Sequence, residues 1–402
     1  MSDVSLLLNR INLLYRSWHV YEEKLPADRA SVLDFDYCPW NPSHEVRAFN
    51  DRVEILESFE TIFQEVKNSP PTRFSNHEMF LSKLRGAISY LRALLGEKIA
   101  FDNYVQAVAG VTPKKISNEE MECLRENARE IVASIGCGWR TEERDRYDTK
   151  TLYPVMSQFG EALRSLALLW VKKVQTALSL DVEPSYDIEA TEVDEYWHNW
   201  ISGSLGQKIL LRVNTHPRGK FRRGEDVVLA AHEIAGHAMH VLSLNKERER
   251  GVLESSLMNL TVHSCEMFQM EGLAQSILEL LTPDEDILFD IKLYEAVGAY
   301  HDAVRNNAQC EMEEGRPIDE VIAWSLASAP LSTPKSLISD LRDRSRNPLF
   351  RAYIHVYGPA KKEFMRAAKL SEQNKHAFLK EMYTRLWTPR QISNKLDQYL
   401  KC

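Results

Sequence analysis

The sequence predicts a mainly α-helical protein with one small β-sheet, and three observations predict it. Apolar residues recur at three- and four-residue spacing along most of the chain, which is the period of an amphipathic helix. One segment, from Asp181 to Val213, breaks that period and is aromatic and rich in β-branched residues, as strands are. No internal repeat and no low-complexity linker interrupts the pattern. The 402 residues suffice for one large core or two domains. They divide into a helical region over 1–180, expected to form one wall of a cleft, and a region over 181–402 that carries the sheet and the chemistry.

The elements follow in order. Leu6 to Glu23 and Glu45 to Lys67 are helices by spacing, and Pro70-Pro71 separates the second from a third over His77 to Ala109. Thr112-Pro113 ends the third. Ser117-Asn118-Glu119-Glu120 is a capping-box start for a fourth helix reaching Ser134, and Pro154 to Leu180 makes a fifth. Asp181 to Val213 predicts two or three strands, with Ser202-Gly203 and Leu205-Gly206 as turns. Glu225 to Leu244 is apolar on nearly all sides and is therefore a buried helix. Val262 to Leu281 is the next helix, and Thr282-Pro283-Asp284-Glu285 caps another running through Tyr300 toward Asn307. Three or four further helices complete the chain.

The buried helix carries His232-Glu233-Ile234-Ala235-Gly236-His237, and Glu271 follows in Met270-Glu271-Gly272-Leu273-Ala274. Two imidazoles and a carboxylate are three good ligands for one divalent zinc ion, and a carboxylate beside a ligand can manage the protons of an attacking water. Buried ionisable groups are costly unless paired or metal-bound, which favours a metal over a plain hydrogen-bonded core. The usual helical zinc motif has its histidines four apart; here they are five apart. On a regular α-helix five residues overshoot the starting face by more than a quarter turn. The spacing therefore predicts a π-type widening between His232 and His237, with Gly236 as the residue to tolerate it. His240 is a candidate to support His237, or a partly exposed helix residue. Cys265, six residues before Glu271, is off the ligand face and reads as packing.

At these residues the chain resembles the gluzincin metallopeptidases, in which a Glu on a following helix is the third zinc ligand. His232-Glu233 through His237, with Glu271-Gly272-Leu273-Ala274, resembles both motifs of the family that includes the tubulin tyrosine carboxypeptidases, except that Met270 stands where a Gln or Glu is usual. Gly236-His237, and Arg351-Ala352-Tyr353 running into Tyr357-Gly358-Pro359-Ala360, resemble a bacterial group of helical peptidases whose second motif is Glu-Gly-Trp-Ala; Leu273 departs from its Trp. The resemblance covers Lys208 to Leu281 well and the last hundred residues faintly. It implies a zincin-like catalytic region with His232, His237 and Glu271 as ligands of one zinc per chain and Glu233 as general base. It also implies that Ile209 to Asn214, closed by His216-Pro217-Arg218-Gly219, is an edge strand that pairs with extended substrate.

The expected function is a zinc-dependent hydrolase, a metallopeptidase of carboxypeptidase-like type acting on a peptide or small amide. A donor must stabilise the oxyanion, and Tyr353, His355 and Tyr357 are the candidates, each equally readable as a core aromatic; Tyr294, Tyr300 and His301 are weaker ones. Removal of a C-terminal residue would need a cation for the substrate carboxylate, with Arg351, Arg212 and Lys361 available. A helical di-iron or di-manganese oxidase is the main competing reading, using Glu233, His237, His263-x-x-Glu266 and Glu271, although the paired Glu-x-x-His spacing is missing. A zinc hydrolase of a non-peptide amide or ester remains open. A non-catalytic zinc-stabilised module has no use for Glu233.

Composition bounds the rest. Net charge −8 and pI near 5.9 argue against nucleic-acid binding, and the clusters Arg218–Arg223 and Arg342–Arg346 read as solvated loops. The start lacks a basic lead and a long apolar run, and the stretch near Leu166 to Val171 is too short to span a bilayer. Six scattered cysteines without a Cys-x-x-Cys read as reduced thiols. A cytoplasmic protein without a membrane partner is expected.

Overall fold

Helical periodicity produces the architecture seen in a computed structural model, which describes residues 3–25, 30–39, 46–153, 156–194, 198–216 and 221–401. The N-terminal region holds helices α1 (Asp3–Glu23), α2 (Arg52–Asn68), α3 (His77–Leu94), α4 (Phe101–Ala109), α5 (Asn118–Ser134), α6 (Arg144–Thr151) and α7 (Met156–Leu178). Helix α2 begins later than the spacing predicts, because Asp51 caps it by accepting from the backbone N–H groups of Val53 and Glu54. The expected single helix over His77 to Ala109 is two, since Gly96 adopts φ +83° and ends α3. Helix α5 starts as expected, with the Ser117 hydroxyl accepting from the Glu120 N–H at 3.2 Å. Helix α6 was not anticipated by the spacing. Pro154, the expected start of α7, lies outside the described residues.

The sheet has five strands among the described residues: β1 (Phe35–Asp36), β2 (Tyr186–Thr191), β3 (Asn199–Ser204), β4 (Ile209–Asn214) and β5 (Asn259–Leu260), in the order β2-β4-β3-β1-β5. β3 and β4 form an antiparallel hairpin turning at Gly206, β2 lies parallel to β4, and β1 bridges β3 to β5. Ser202-Gly203 is not a turn but part of β3. A side chain at Gly203 would meet Ile209 Cγ1 at 3.0 Å and the Tyr37 hydroxyl at 3.2 Å, so close packing explains the glycine. The expected edge role of Ile209 to Asn214 is also corrected. β4 has partners on both sides, so its backbone groups are taken, and β2 is the outer strand next to it. Residues 217–219 of the expected closing turn lie outside the described residues.

One long helix, α8 (Glu225–Glu249), follows the hairpin. Its middle, Ala230–Ala238, is a π-helix. Helices α9 (Glu266–Leu281), α10 (Phe289–Glu313), α11 (Ile318–Ser328), α12 (Pro334–Arg346), α13 (Pro348–Met365), α14 (Glu372–Thr384) and α15 (Pro389–Lys401) complete the chain, five rather than three or four after α10. By length and composition α8 alone among the described residues could cross a membrane, but 78% of its apolar window is buried inside the fold. The largest core runs from α1 to α15 and wraps α8 and α9. Buried Lys83 and Glu266 pair at the start of α9, with Lys83 Nζ also donating to Asn259 O at 2.8 Å. Gln269 bonds to Met382, Arg385 and Trp387, fixing α9 to the C-terminal helices.

Candidate metal centre

The π-helix solves the spacing problem stated by the sequence. An i→i+5 turn brings His232 and His237 to one face, with their rings 4.7 Å apart at 88° and their Nε2 atoms 3.1 Å apart. The widened segment frees backbone groups, and Tyr383 on α14 supplies a donor to Ala235 O at 2.7 Å. Gly236 does not serve through an unusual backbone, because its φ is not positive. Its role is close approach: a Cβ there would meet Ala274 Cα and Cβ at 2.6 Å each. Gly272 does the same for α13, since a Cβ there would run into the Phe364 ring. The small residues of the two motifs thus set how near α8, α9 and α13 lie.

That packing delivers Glu271 to the histidines. Its Oε2 is 3.5 Å from His232 Nε2, and its Oε1 is 3.6 Å from His237 Nε2. Donors about 2.0–2.1 Å from a tetrahedral zinc would be separated by about 3.3 Å, so all three spacings suit that ion. Among the described residues this is the one group of three such side chains able to hold a metal. His237 Nδ1 and Glu271 Oε2 are buried without hydrogen-bond partners, and a cation on the set would compensate the second. Zinc fits the residues present.

Electrostatics agree with that donor set. Burial and the charge of Lys361 push His232 down to about 4, and burial holds His237 well below the ordinary imidazole range, so both rings are neutral ligands at pH 7. Burial and the Glu271 charge raise Glu233 to about 8, against an opposing hydrogen bond from Asn199. Burial raises Glu271 to about 7, while Tyr353 and Gln275 oppose the shift. His232 keeps 21% side-chain exposure against 3% for Glu271, so the centre opens on the His232 side.

The expected site residues divide clearly. Tyr353 donates to Glu271 Oε1 at 3.0 Å. Tyr357, one turn on, packs edge-on against Tyr353 at 5.0 Å and so lies one residue removed from the ligands. His355 is not at the centre. Two residues from Tyr353 turn it to the far side of α13, where it is buried against Phe101 with both ring nitrogens unpartnered. Tyr300 and His301 pack with Trp139 in a separate cluster, and Tyr294 lies in the field of Glu225 and Asp302. His240 is fully buried rather than partly exposed, and its ring, edge-on to Tyr383, has no hydrogen bond. Cys265 packs with Met79 as expected. Of the candidate carboxylate-binding cations, Arg351 is held by Glu313 at 2.7 Å, Lys361 by Glu279 at 2.6 Å, and Arg212 donates to Ser202 on the sheet at 3.1 Å.

One site residue was missed. Asn199 of β3 donates to Glu233 Oε1 at 2.6 Å and thereby fixes the carboxylate next to the ligands. A lone Asn in a strand gives no signal in sequence, because only the pairing of β3 with β4 brings it over α8.

No protein-family model matches this chain, and no curated protein matches it. In fold it is similar to a crystal structure described as that of "the putative lipoprotein from Colwellia psychrerythraea", with a TM-score of 0.55 and 12% identity. The match covers 86% of this chain and 66% of that one, so the chain spans just under two thirds of its length. At that identity the likeness concerns the fold alone: a mainly helical protein with a small mixed sheet.

Proposed function

We propose that this protein is a zinc-dependent hydrolase of the gluzincin type, a metallopeptidase that cleaves the amide bond of a peptide or small amide. The observation that carries the reading is the triangle of donors on His232, His237 and Glu271, with Glu233 beside it held by Asn199. A zinc ion held there supplies Lewis acidity toward the scissile carbonyl and a nucleophilic water near neutral pH. Glu233 takes one proton of the attacking water as the new C–O bond forms, and hands it to the nitrogen as the C–N bond breaks. Asn199 keeps that carboxylate in one orientation throughout. Tyr353, whose hydroxyl reaches the ligand Glu271, is assigned the stabilisation of the oxyanion.

The carboxypeptidase form of this reading needs a cation for the substrate carboxylate; Arg351 and Lys361 are already paired with carboxylates, which leaves Arg212 on the sheet as the candidate. The oxidase reading finds less support. Glu266 is engaged by Lys83, and His263 is stacked on Tyr90 at 4.7 Å, so neither joins the triangle. We also propose a cytoplasmic setting, supported by the free thiols of Cys38, Cys123, Cys137, Cys265 and Cys310.

Metal analysis by mass spectrometry on protein purified without added metal tests the reading, together with His237→Ala and Glu233→Gln. The expectation is one zinc per chain in the parent and in Glu233→Gln, none in His237→Ala, and peptide hydrolysis in the parent alone. Two irons or manganese ions per chain, or no metal after reconstitution, would overturn it.

A further inference from the structure

The outer strand of the sheet leaves one row of backbone groups unpaired. Among the described residues β2 pairs with β4 alone, and the carbonyls of Ser185 and Thr191 accept from the Ile209 and Thr215 N–H groups at 2.9 and 2.8 Å. The N–H and C=O groups of successive strand residues point to alternate edges. Those of Asp187 and Glu189 therefore face β4, and those of Tyr186, Ile188 and Ala190 face outward. Arg164 of α7 agrees with that direction, donating to Ile188 O at 3.3 Å. No other hydrogen bond reaches the outward row among the described residues.

The chemistry along this edge is of one sign. From Asp181 to Asp194 the chain has six carboxylates and no Lys, Arg or His. All of the six are exposed. Asp181 and Asp187 have Arg250 and Lys208 at 3.1 and 3.2 Å, surface pairs that are worth little. Glu183, Glu189 and Glu192 form no ion pair among the described residues, and Arg212, opposite Glu189 in the register, donates to Ser202 instead. The side chains alternate along β2: Asp187 and Glu189 are exposed, while Tyr186 and Ile188 are half-buried against the core.

This pattern selects its occupant. A second copy laid antiparallel about Ile188 would set Asp187 and Glu189 against each other, which opposes pairing. A strand with cations at alternate positions sets them opposite Asp187 and Glu189. Its apolar residues then lie beside Tyr186 and Ile188, and its backbone takes up the outward N–H and C=O groups. We propose that the outer edge of β2 docks, by strand addition, an extended protein segment in which Lys or Arg alternates with apolar residues. The surface is separate from the hydrolase reading and does not depend on it. β2 lies two strands from β3, whose Asn199 reaches Glu233, and that is about 10 Å across the sheet.

The probes are end-blocked, fluorescein-labelled hexapeptides: Lys-Val-Lys-Val-Lys-Val, its block isomer Lys-Lys-Lys-Val-Val-Val, and the alternating peptide N-methylated either at its valines or at its lysines. Anisotropy measures their binding to the full chain carrying Glu233→Gln, so that none is cleaved. The alternating peptide should bind about 10-fold more tightly than its isomer of equal charge. Methylation of one peptide edge should abolish that advantage and methylation of the other should spare it; the valine edge is the sensitive one in antiparallel addition, the lysine edge in parallel addition. Adding Asp187→Asn with Glu189→Gln should weaken binding about 2- to 30-fold. Ala190→Pro removes an outward donor without touching the β2–β4 ladder, so it should weaken binding about 3- to 10-fold with the thermal midpoint kept. The methylated pair needs no variant and decides the matter even if Ala190→Pro folds poorly. Equal binding of the two isomers, an equal response to both methylations, or a dimer in sedimentation that Ala190→Pro dissolves would overturn the proposal, the last by assigning the edge to a second copy.

Discussion

Gly236→Ala sets two physical effects against each other, and the structure says which should win. Alanine is the better helix former by about 1 kcal/mol, so propensity alone predicts a more stable protein. The new Cβ, however, would lie 2.6 Å from both Ala274 Cα and Ala274 Cβ, where ordinary carbon contacts are about 3.5–4.0 Å. The helices must part by about 1 Å, and overpacking of this kind costs about 1–3 kcal/mol. Ala274 is three residues from Glu271 on the same helix, so Glu271 retreats with it. Its separations of 3.5 and 3.6 Å from the histidines, already at the upper side of the roughly 3.3 Å that a tetrahedral ion needs, then widen further. Holding the site closed against that strain should weaken zinc binding by about 5- to 150-fold. Competition with a chromogenic chelator at fixed pH measures the affinity, and thermal unfolding with and without zinc measures the strain. A variant that binds zinc as tightly as the parent and melts at a higher temperature would refute the packing argument and leave propensity as the governing term.

Further outcomes follow from other residues. Tyr353→Phe should lower kcat about 10²- to 10³-fold with zinc stoichiometry unchanged; a loss under threefold would remove Tyr353 from the chemistry. His355→Leu should leave hydrolysis intact and raise the denaturant midpoint, because it deletes a buried ring whose nitrogens bond to nothing; collapse of kcat would restore it to the site. Lys83→Met should destabilise the fold by about 3–5 kcal/mol through an uncompensated Glu266, read from chemical unfolding; an unchanged midpoint would show the pair to be dispensable. Burial depresses His240, His263, His301 and His355 to about 3 in the folded state, so their stabilising contribution is complete above about 6.5 and is lost as pH falls toward 3. Asp34 and Glu295, raised to about 7, act the other way below 7. The depressed histidines dominate in this range, so the stability of the zinc-loaded protein should fall as pH drops from about 6.5 toward 5. Urea titrations of the zinc-loaded protein at pH 7 and 5.5 check this, and a flat or rising stability toward low pH would contradict it.

What the sequence disclosed depended on whether a local pattern existed. Amphipathic spacing and the Ser117 cap locate α5 to the residue, and the five-residue interval between His232 and His237 by itself requires a widened turn. The break at Gly96 was hidden because apolar residues continue in helical register on both sides of it. Strands β1 and β5, two residues each, have no periodicity to read and exist only through long-range pairing. The same limit concealed Asn199, an ordinary polar residue in its own segment that gains meaning only when the sheet sets it over α8. His355 was misplaced for the opposite reason, since closeness in sequence to Tyr353 says nothing about which face of α13 it occupies.

The two motifs are better understood as one packed object than as a list of ligands. His232 and His237 fix only one edge of the triangle, and its other two edges depend on the distance between α8 and α9. That distance is set at Gly236 against Ala274, while Gly272 against Phe364 sets the distance from α9 to α13, and therefore the reach of Tyr353 to Glu271. The π-helix belongs to the same arrangement. It keeps both histidines facing Glu271 while leaving Glu233 directed at Asn199 on the sheet, so the ligands and the base answer to different neighbours. A substitution at either glycine should then act on different measurements: Gly236 on metal affinity, Gly272 on the tyrosine contact and hence on turnover. Ligand chemistry alone would predict no such division, because neither glycine offers the metal a donor.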